Sequence, residues 1–249
     1  MCSVVTKCNI AIALYKPVEI SSVSEAPGKS LSERFSEVWG ALRSHFLRPR
    51  KKLGPIEGLD ALVDFVDSRS SLVSQTSLYG YIKTRAGTRF PELFENDLFV
   101  QSINIAKWQI WCACVSDLAV YTGRLIFEAH PENEQVRQLM RVAVTRIAER
   151  TGVPDDAGQD FPSAVKQMIE RIDDTQFSEL DDLEAIFKRS GDALVHWSPI
   201  VDELKVLDED IVRNSIRFRW QEPRRDLRAA LKIDSIMSSG ISQARTIVD

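Results

Sequence analysis

Apolar residues recur along this chain at intervals of three and four, the spacing that places them on one face of an α-helix. The pattern follows a capping box formed by Ser30 and Glu33, returns between Glu57 and Ile82, and resumes after Pro91. We find no convincing run of alternating apolar and polar residues, which would indicate a β-strand. The sequence therefore predicts an all-α fold.

Serine, glycine and proline residues mark where the helices are expected to end. Residues 68–71 suggest a break in the second helix, and Gly87 suits its C-terminal end. Gly191 is expected to end or kink a sixth helix, and Pro223 to kink or interrupt the final one. That final helix is expected to start at Pro199 and to run through four apolar residues: Leu204, Leu207, Ile211 and Phe218.

The longest apolar segment begins at Pro91 or Asn96 and ends at His130. It is apolar on nearly all sides, which predicts a central buried helix. Three charged side chains interrupt its most apolar part: Lys107, Asp117 and Arg124. These charges favour a helix buried in protein over a membrane span. A row of small residues along one side would allow close approach of a neighbouring helix, although dense core packing is the favoured interpretation: Cys112, Ser116, Ala119 and Gly123.

The chain is expected to form a single helical domain of about six or seven helices around the helix at 96–130. Residues 1–29 resemble an irregular N-terminal arm, residues 30–232 the helical domain, and residues 233–249 a mobile Ser-rich tail. The Gly- and Pro-containing loop at 152–161 is the best candidate for an internal boundary, but the composition on both sides of it is continuous.

The composition argues against some classes of function but does not identify one. With 249 residues, of which 44% are hydrophobic, the chain can form a core that needs neither disulfides nor a metal. A net charge of −4 argues against condensation of the whole molecule on nucleic acid or anionic membranes. The chain has four cysteines: Cys2, Cys8, Cys112 and Cys114. Their placement fits a reducing compartment, and the sequence has no clear signal-cleavage site. We therefore expect a cytoplasmic protein.

Motifs for metals and nucleotides are missing. The three histidines have no partner four residues away, and the Cys112–Cys114 pair has no companion pair downstream, so zinc spacing is absent. Neither a P-loop nor a dinucleotide-binding glycine motif occurs. We therefore predict no metal and no cofactor.

Aromatic and cationic residues are densest between Tyr79 and Trp111, and again in the charged segment after Asp202. We predict a protein-docking surface made by nine of them: Tyr79, Tyr81, Lys83, Arg85, Arg89, Arg217, Trp220, Arg224 and Arg225. The alternative is a face of intramolecular ion pairs, such as Glu209 with Arg213. The leading hypothesis is a non-enzymatic interaction or assembly protein, which requires the two segments to meet in space.

Two other functions stay open at this point. Asp192, His196 and Ser198 could form a hydrolase trio, because residues four apart on a helix can hydrogen-bond. Ser198 before Pro199 also resembles a helix N-cap, and this structural interpretation is the favoured one. The arginines of the final segment could instead bind a phosphorylated ligand or RNA, although the acidic remainder of the chain makes nucleic acid the less favoured partner.

Two segments resemble a bacterial all-helical family that is sometimes labelled esterase and has no established mechanism. They are residues 78–111, LYGYIKTRAGTRFPELFENDLFVQSINIAKWQIW, and residues 195–228, VHWSPIVDELKVLDEDIVRNSIRFRWQEPRRDLR. Together they cover roughly a quarter of the chain. The resemblance implies no catalytic residues, and the nucleophile elbow expected of an esterase is missing.

Overall fold

A computed structural model describes residues 54–180 and 182–238. The predicted N-terminal arm, the helix that follows Ser30 and residues 239–249 lie outside these described residues. Within them the chain forms eight α-helices and no β-strand, so the predicted all-α fold is confirmed.

The helices follow one another with short connections. They are α1 (Leu59–Ala86), α2 (Asp97–Ala129), α3 (Asn133–Thr151), α4 (Phe161–Asp174), α5 (Leu183–Ile186), α6 (Lys188–Trp197), α7 (Asp202–Arg219) and α8 (Gln221–Ala230). Three short 3-10 segments join them: Gly87–Arg89, Pro91–Glu95 and Phe177–Glu179.

Helix α2 lies at the centre of the fold, as the sequence predicts. It contacts α1, α3, α4, α5 and α6. Of the two predicted starts, Asn96 is the observed one, because its side chain accepts a hydrogen bond from the Phe99 amide at 3.1 Å. By length and composition α2 could cross a membrane, yet 78% of its most apolar window is buried inside the fold. Packing against five helices therefore accounts for its apolar composition.

The predicted break in α1 at residues 68–71 does not occur, because the helix runs through this segment without interruption. The polar side chains bond back to helix carbonyls: Ser68 donates to Phe65 O at 3.2 Å and Thr76 to Leu72 O at 2.7 Å. Such back-bonding satisfies the hydroxyls inside a helix. The predicted end at Gly87 is confirmed, and its φ of +57° is one that glycine adopts readily.

The segment predicted as the sixth helix forms two α-helices, α5 and α6. Gly191 neither ends nor kinks α6, which continues to Trp197. Gly191 is buried where α6 packs against α7, close to the Arg213 side chain. The predicted interruption by Pro223 is confirmed: α7 ends before Trp220, and Pro223 lies in the first turn of α8.

The loop at 152–161 belongs to the same core as the helices around it. Ala157 and Phe161 are buried, and Asp156 accepts hydrogen bonds from Lys107 at 3.0 Å and from Trp108 at 2.6 Å. The candidate boundary therefore does not separate two cores. Residues 233–238, the first part of the predicted tail, are helical and bury Ile236 and Met237.

Candidate functional site

Two of the nine predicted docking residues are part of the core. Tyr79 is 5% exposed and Trp220 is fully buried. Burial raises the pKa of Tyr79 well above its ordinary value. Trp220 donates from Nε1 to Ser190 Oγ at 3.1 Å, which anchors α7 to α6. These two aromatics cannot form an external docking surface, and this part of the prediction is corrected.

Two further members of the set are engaged within the molecule. Arg85 donates two hydrogen bonds to the Asp208 carboxylate, and Tyr81 donates to Asp208 Oδ2 at 3.0 Å. The hydrogen bond to Asp208 raises the pKa of Arg85. Burial is the largest cause that raises the pKa of Tyr81, and the hydrogen bond to Asp208 raises it further. Asp208 is only 8% exposed, so this cluster joins α1 to α7. The intramolecular alternative therefore describes this part of the set.

The two aromatic and cationic segments do meet, as the docking hypothesis requires. The Arg219 guanidinium lies over Gly80, 3.2 Å from where a β-carbon on that residue would be. Arg224 lies over the Tyr121 ring at 5.5 Å and the Phe187 ring at 5.6 Å. Their meeting is a packed contact between helices, because these arginines cover buried rings and backbone.

Four cations of the predicted set lie nearer the surface. Lys83 and Arg225 are exposed, and Arg89 and Arg217 are half-buried. Arg217 lies 3.5 Å from Glu184, and Arg225 lies 3.3 Å from Asp226. Pairs as exposed as these contribute little to stability, so they leave the cations available to a partner.

The hydrolase trio is not assembled. Ser198 is 1% exposed, donates from Oγ to Leu194 O at 2.6 Å, and ends α6 instead of capping the next helix. Asp192 forms an ion pair with Arg213. The His196 ring packs edge-on against Trp197 at 5.1 Å. A buried serine held by a helix carbonyl has no access to a substrate or a base.

The most unusual surface of the described residues lies on α7. We call Leu207, Ile211 and Phe218 the apolar stripe; they are 74%, 71% and 70% exposed. The sequence marked these residues by their periodicity, but α7 turns a different row inward: Val212, Ile216 and the Trp220 that follows it. The presence of two apolar rows on one helix is the signal that could have revealed an outer contact face.

Charge along α7 reverses sign from one end to the other. Its first half carries five acidic residues: Asp202, Glu203, Asp208, Glu209 and Asp210. Its second half carries Arg213, Arg217 and Arg219. Beside the apolar stripe, Asp210 is exposed and Arg217 is half-buried, so both signs are present at the edge of the stripe.

A buried ion pair lies between α2, α4 and α6. Arg171 donates to Asp117 and, at 3.1 Å, to Ser116 Oγ. The Ser190 amide donates to Asp117 Oδ2 at 2.8 Å, so Asp117 also accepts from the first turn of α6. Burial raises the pKa of Asp117, while Arg171 and Ser190 act in the opposite direction. The pair holds three helices together.

The row of small residues on α2 is buried, as dense core packing predicts. A β-carbon on Gly123 would overlap the Phe177 ring, so the close neighbour there is an aromatic ring from a 3-10 segment. Cys112 and Ser116 line a cleft of about 370 Å³ between α2, α4 and α6. Burial raises the pKa of the Cys112 thiol to about 12, which keeps it protonated at neutral pH.

No family model matches this chain, and neither the curated proteins nor the solved structures contain a significant match. The resemblance of residues 78–111 and 195–228 to a helical family therefore stays a prediction.

Proposed function

We propose that this protein is a non-enzymatic interaction protein that assembles with a second copy of itself through α7. One observation carries the proposal: the apolar stripe of α7 is about three-quarters exposed although each of its side chains is large and aliphatic or aromatic. Several large exposed apolar side chains aligned on one side of a helix commonly mark an interaction site. The cytoplasmic location expected from the cysteines stays a prediction.

The spacing of the stripe suits a helix partner. Leu207, Ile211 and Phe218 follow one another at intervals of four and seven, and Asn214 occupies the intermediate position on the same side of α7. This is the heptad arrangement of a helix pair. The exposed row on α7 therefore suits a contact with another helix.

The charge reversal selects an antiparallel second copy as the occupant. About a two-fold axis near Ile211 and Asn214, Leu207 of one copy faces Phe218 of the other. The same axis brings Asp210 of one copy towards Arg217 of the other, twice. A self-complementary patch of this kind is what a two-fold interface requires. A parallel arrangement would instead place like charges together.

The interface is expected to be weak. Burying each stripe side chain contributes about 1.5 kcal/mol, so six of them contribute about 9 kcal/mol. Association itself costs roughly 4–15 kcal/mol. Pairing should therefore depend on concentration in the micromolar range or above, and the polar contacts beside the stripe should decide its orientation.

Sedimentation velocity across a concentration series tests the proposal. The wild type is expected to shift from monomer to dimer, and Ile211→Glu to remain monomeric, because a carboxylate would be buried at the centre of the interface. Val153→Glu is the matched control, since Val153 is 69% exposed but lies between α3 and α4. Equal dimerisation of the wild type and Ile211→Glu would overturn the proposal.

A charge exchange tests the antiparallel orientation. Asp210→Arg and Arg217→Asp should each weaken self-association, because each places like charges opposite one another. An equimolar mixture of the two variants should recover it, since both contacts then join opposite charges. A mixture that stays monomeric would contradict the orientation.

A different result is expected if residues of the same chain outside the described ranges cover the apolar stripe. In that case the wild type would be monomeric at every concentration, and Ile211→Glu would lower its melting temperature. Self-pairing predicts instead that Ile211→Glu leaves the melting temperature of the dilute monomer unchanged. The melting temperature of Ile211→Glu therefore distinguishes coverage within one chain from pairing of two chains. A wild type that stays monomeric, with a lower melting temperature for Ile211→Glu, would overturn self-pairing.

A further inference from the structure

The cleft between α2, α4 and α6 has the size and shape of a small-molecule site. Its volume is about 370 Å³, within the range of ligand pockets. It is open because small side chains line its walls: Cys112, Ala113, Ser116, Ala164 and Ala193. Met168 and Trp197 add apolar surface.

One end of the cleft is cationic. Arg171 is committed to Asp117, to Ser116 and, at 2.8 Å, to Ile186 O. Arg189 lines the same end and makes no hydrogen bond or ion pair within the described part of the chain. Arg189 is exposed to solvent at the mouth of the cleft, and partial desolvation followed by the nearby Arg171 charge lowers its pKa. An anion placed here would offset both effects.

The carboxylates beside the cleft do not supply that anion. Glu170 lies 3.4 Å from Lys166 and Asp192 pairs with Arg213. Asp174 is exposed, and its charge acts on Arg189 less than those of Arg171 and Asp117 do. The guanidinium therefore retains its hydrogen-bonding capacity for a ligand.

The other end of the cleft offers an unused donor. Gln109 is 6% exposed, and its Nε2 has no hydrogen-bond partner among the residues that the structure describes. A buried donor without an acceptor costs about 1–3 kcal/mol. Gln109 lies seven residues before Ser116 on α2, which places it about 10 Å from the cationic end. Trp197 lines the cleft and provides an aromatic wall.

We propose that this cleft binds a small organic anion with an apolar or aromatic body. Arg189 anchors the carboxylate or phosphate group through its guanidinium. The body lies along Ala113, Met168 and Trp197, and Gln109 donates to an acceptor at the far end of a longer ligand. This inference does not depend on self-pairing, because none of these residues lies on α7.

Isothermal titration with three probes of similar shape tests the proposal: 3-phenylpropionate, its neutral amide 3-phenylpropanamide, and phenyl phosphate. At least one anion should bind saturably and the amide should bind more weakly. The tighter of the two anions identifies the preferred group. Binding of the neutral amide as tight as that of the tighter anion, or no saturable binding of either anion at millimolar concentration, would overturn the proposal.

Arg189→Gln should reduce the affinity for the anions by about tenfold or more, because a charge-assisted hydrogen bond is lost. Arg225→Gln is the matched control, since it removes an exposed cation that does not line the cleft. Unchanged affinity in Arg189→Gln, with normal folding by circular dichroism, would overturn the assignment.

Discussion

Two regions of this molecule reverse the usual distribution of polar and apolar side chains. At the α2–α4–α6 junction, the carboxylate of Asp117 is fully buried. On α7, Ile211 and its neighbours in the apolar stripe are about three-quarters exposed. The buried charge is compensated, because Arg171 and the Ser190 amide donate to it. The exposed stripe has no comparable compensation among the described residues, which is why a partner explains it better than the fold does.

The comparison also separates a residue that fixes how helices pack from residues that offer a contact surface. Burial of Asp117 opposes its ionisation, and this desolvation is the largest influence on its raised pKa. A carboxyl whose pKa is raised on folding loses stability for the folded state as the pH rises from its unfolded-state pKa through that raised value. The ion pair is therefore better understood as fixing how three helices meet than as a source of net stability.

The largest expected effect comes from breaking the buried pair. Asp117→Ala should lower the free energy of unfolding by about 3–5 kcal/mol, because Arg171 is left buried without a counter-charge. Urea denaturation at low protein concentration measures the change without a contribution from self-association. The double variant Asp117→Leu/Arg171→Met should recover most of the loss. A loss under about 1 kcal/mol in Asp117→Ala would show that Arg171 finds solvent, and the contrast between the two regions would weaken.

A matched pair of isoleucines on α7 tests which apolar row supports the fold. Ile216 is fully buried and Ile211 is 71% exposed. Ile216→Ala should cost about 2–4 kcal/mol through lost burial and a cavity, whereas Ile211→Ala should change the monomer by less than about 0.5 kcal/mol. Chemical denaturation of both variants below the dimerisation range compares them. Similar losses in the two would mean that the stripe is covered within the chain.

Close packing beside the buried pair gives the next effect. A methyl group on Gly123 would overlap the Phe177 ring, so Gly123→Ala should lower stability by about 1–3 kcal/mol despite the better helix propensity of alanine. Thermal denaturation checks the loss. Gly123→Ala/Phe177→Leu should recover part of it, since the smaller side chain leaves room for the methyl group. A stabilised single variant would show that Phe177 moves aside freely.

Local signals along the sequence predict much of this fold. Asn96 as a cap, Gly87 as a helix end and Pro223 as an interruption each act within a turn or two of their own position. Such effects depend on nearby backbone groups, so the sequence alone contains the information. The same is true of the central helix, because a helix that is apolar on all sides is stable only when it is buried.

The candidate sites depended on contacts between distant residues, which periodicity does not encode. Arg85 pairs with Asp208, which is 123 positions away in the sequence, and Trp220 pairs with Ser190, which is 30 positions away. The density of cations was visible in the sequence, but their partners were not. Likewise α7 offers two apolar rows, and the choice between them depends on which row α1 and α6 can accept.

The smallest expected effect concerns the contact between α6 and α7, where the two regions come closest. A β-carbon on Gly191 would lie 3.6 Å from Arg213 Cγ, an ordinary contact distance. Gly191→Ala should therefore raise the free energy of unfolding by about 0.5–1 kcal/mol, because alanine loses less backbone entropy in a helix. Thermal denaturation against wild type measures the gain. Gly191→Leu serves as the control, since a longer side chain must displace Arg213 from Asp192 and should remove the benefit. A destabilised Gly191→Ala would mean that α6 and α7 pack more tightly than these distances indicate.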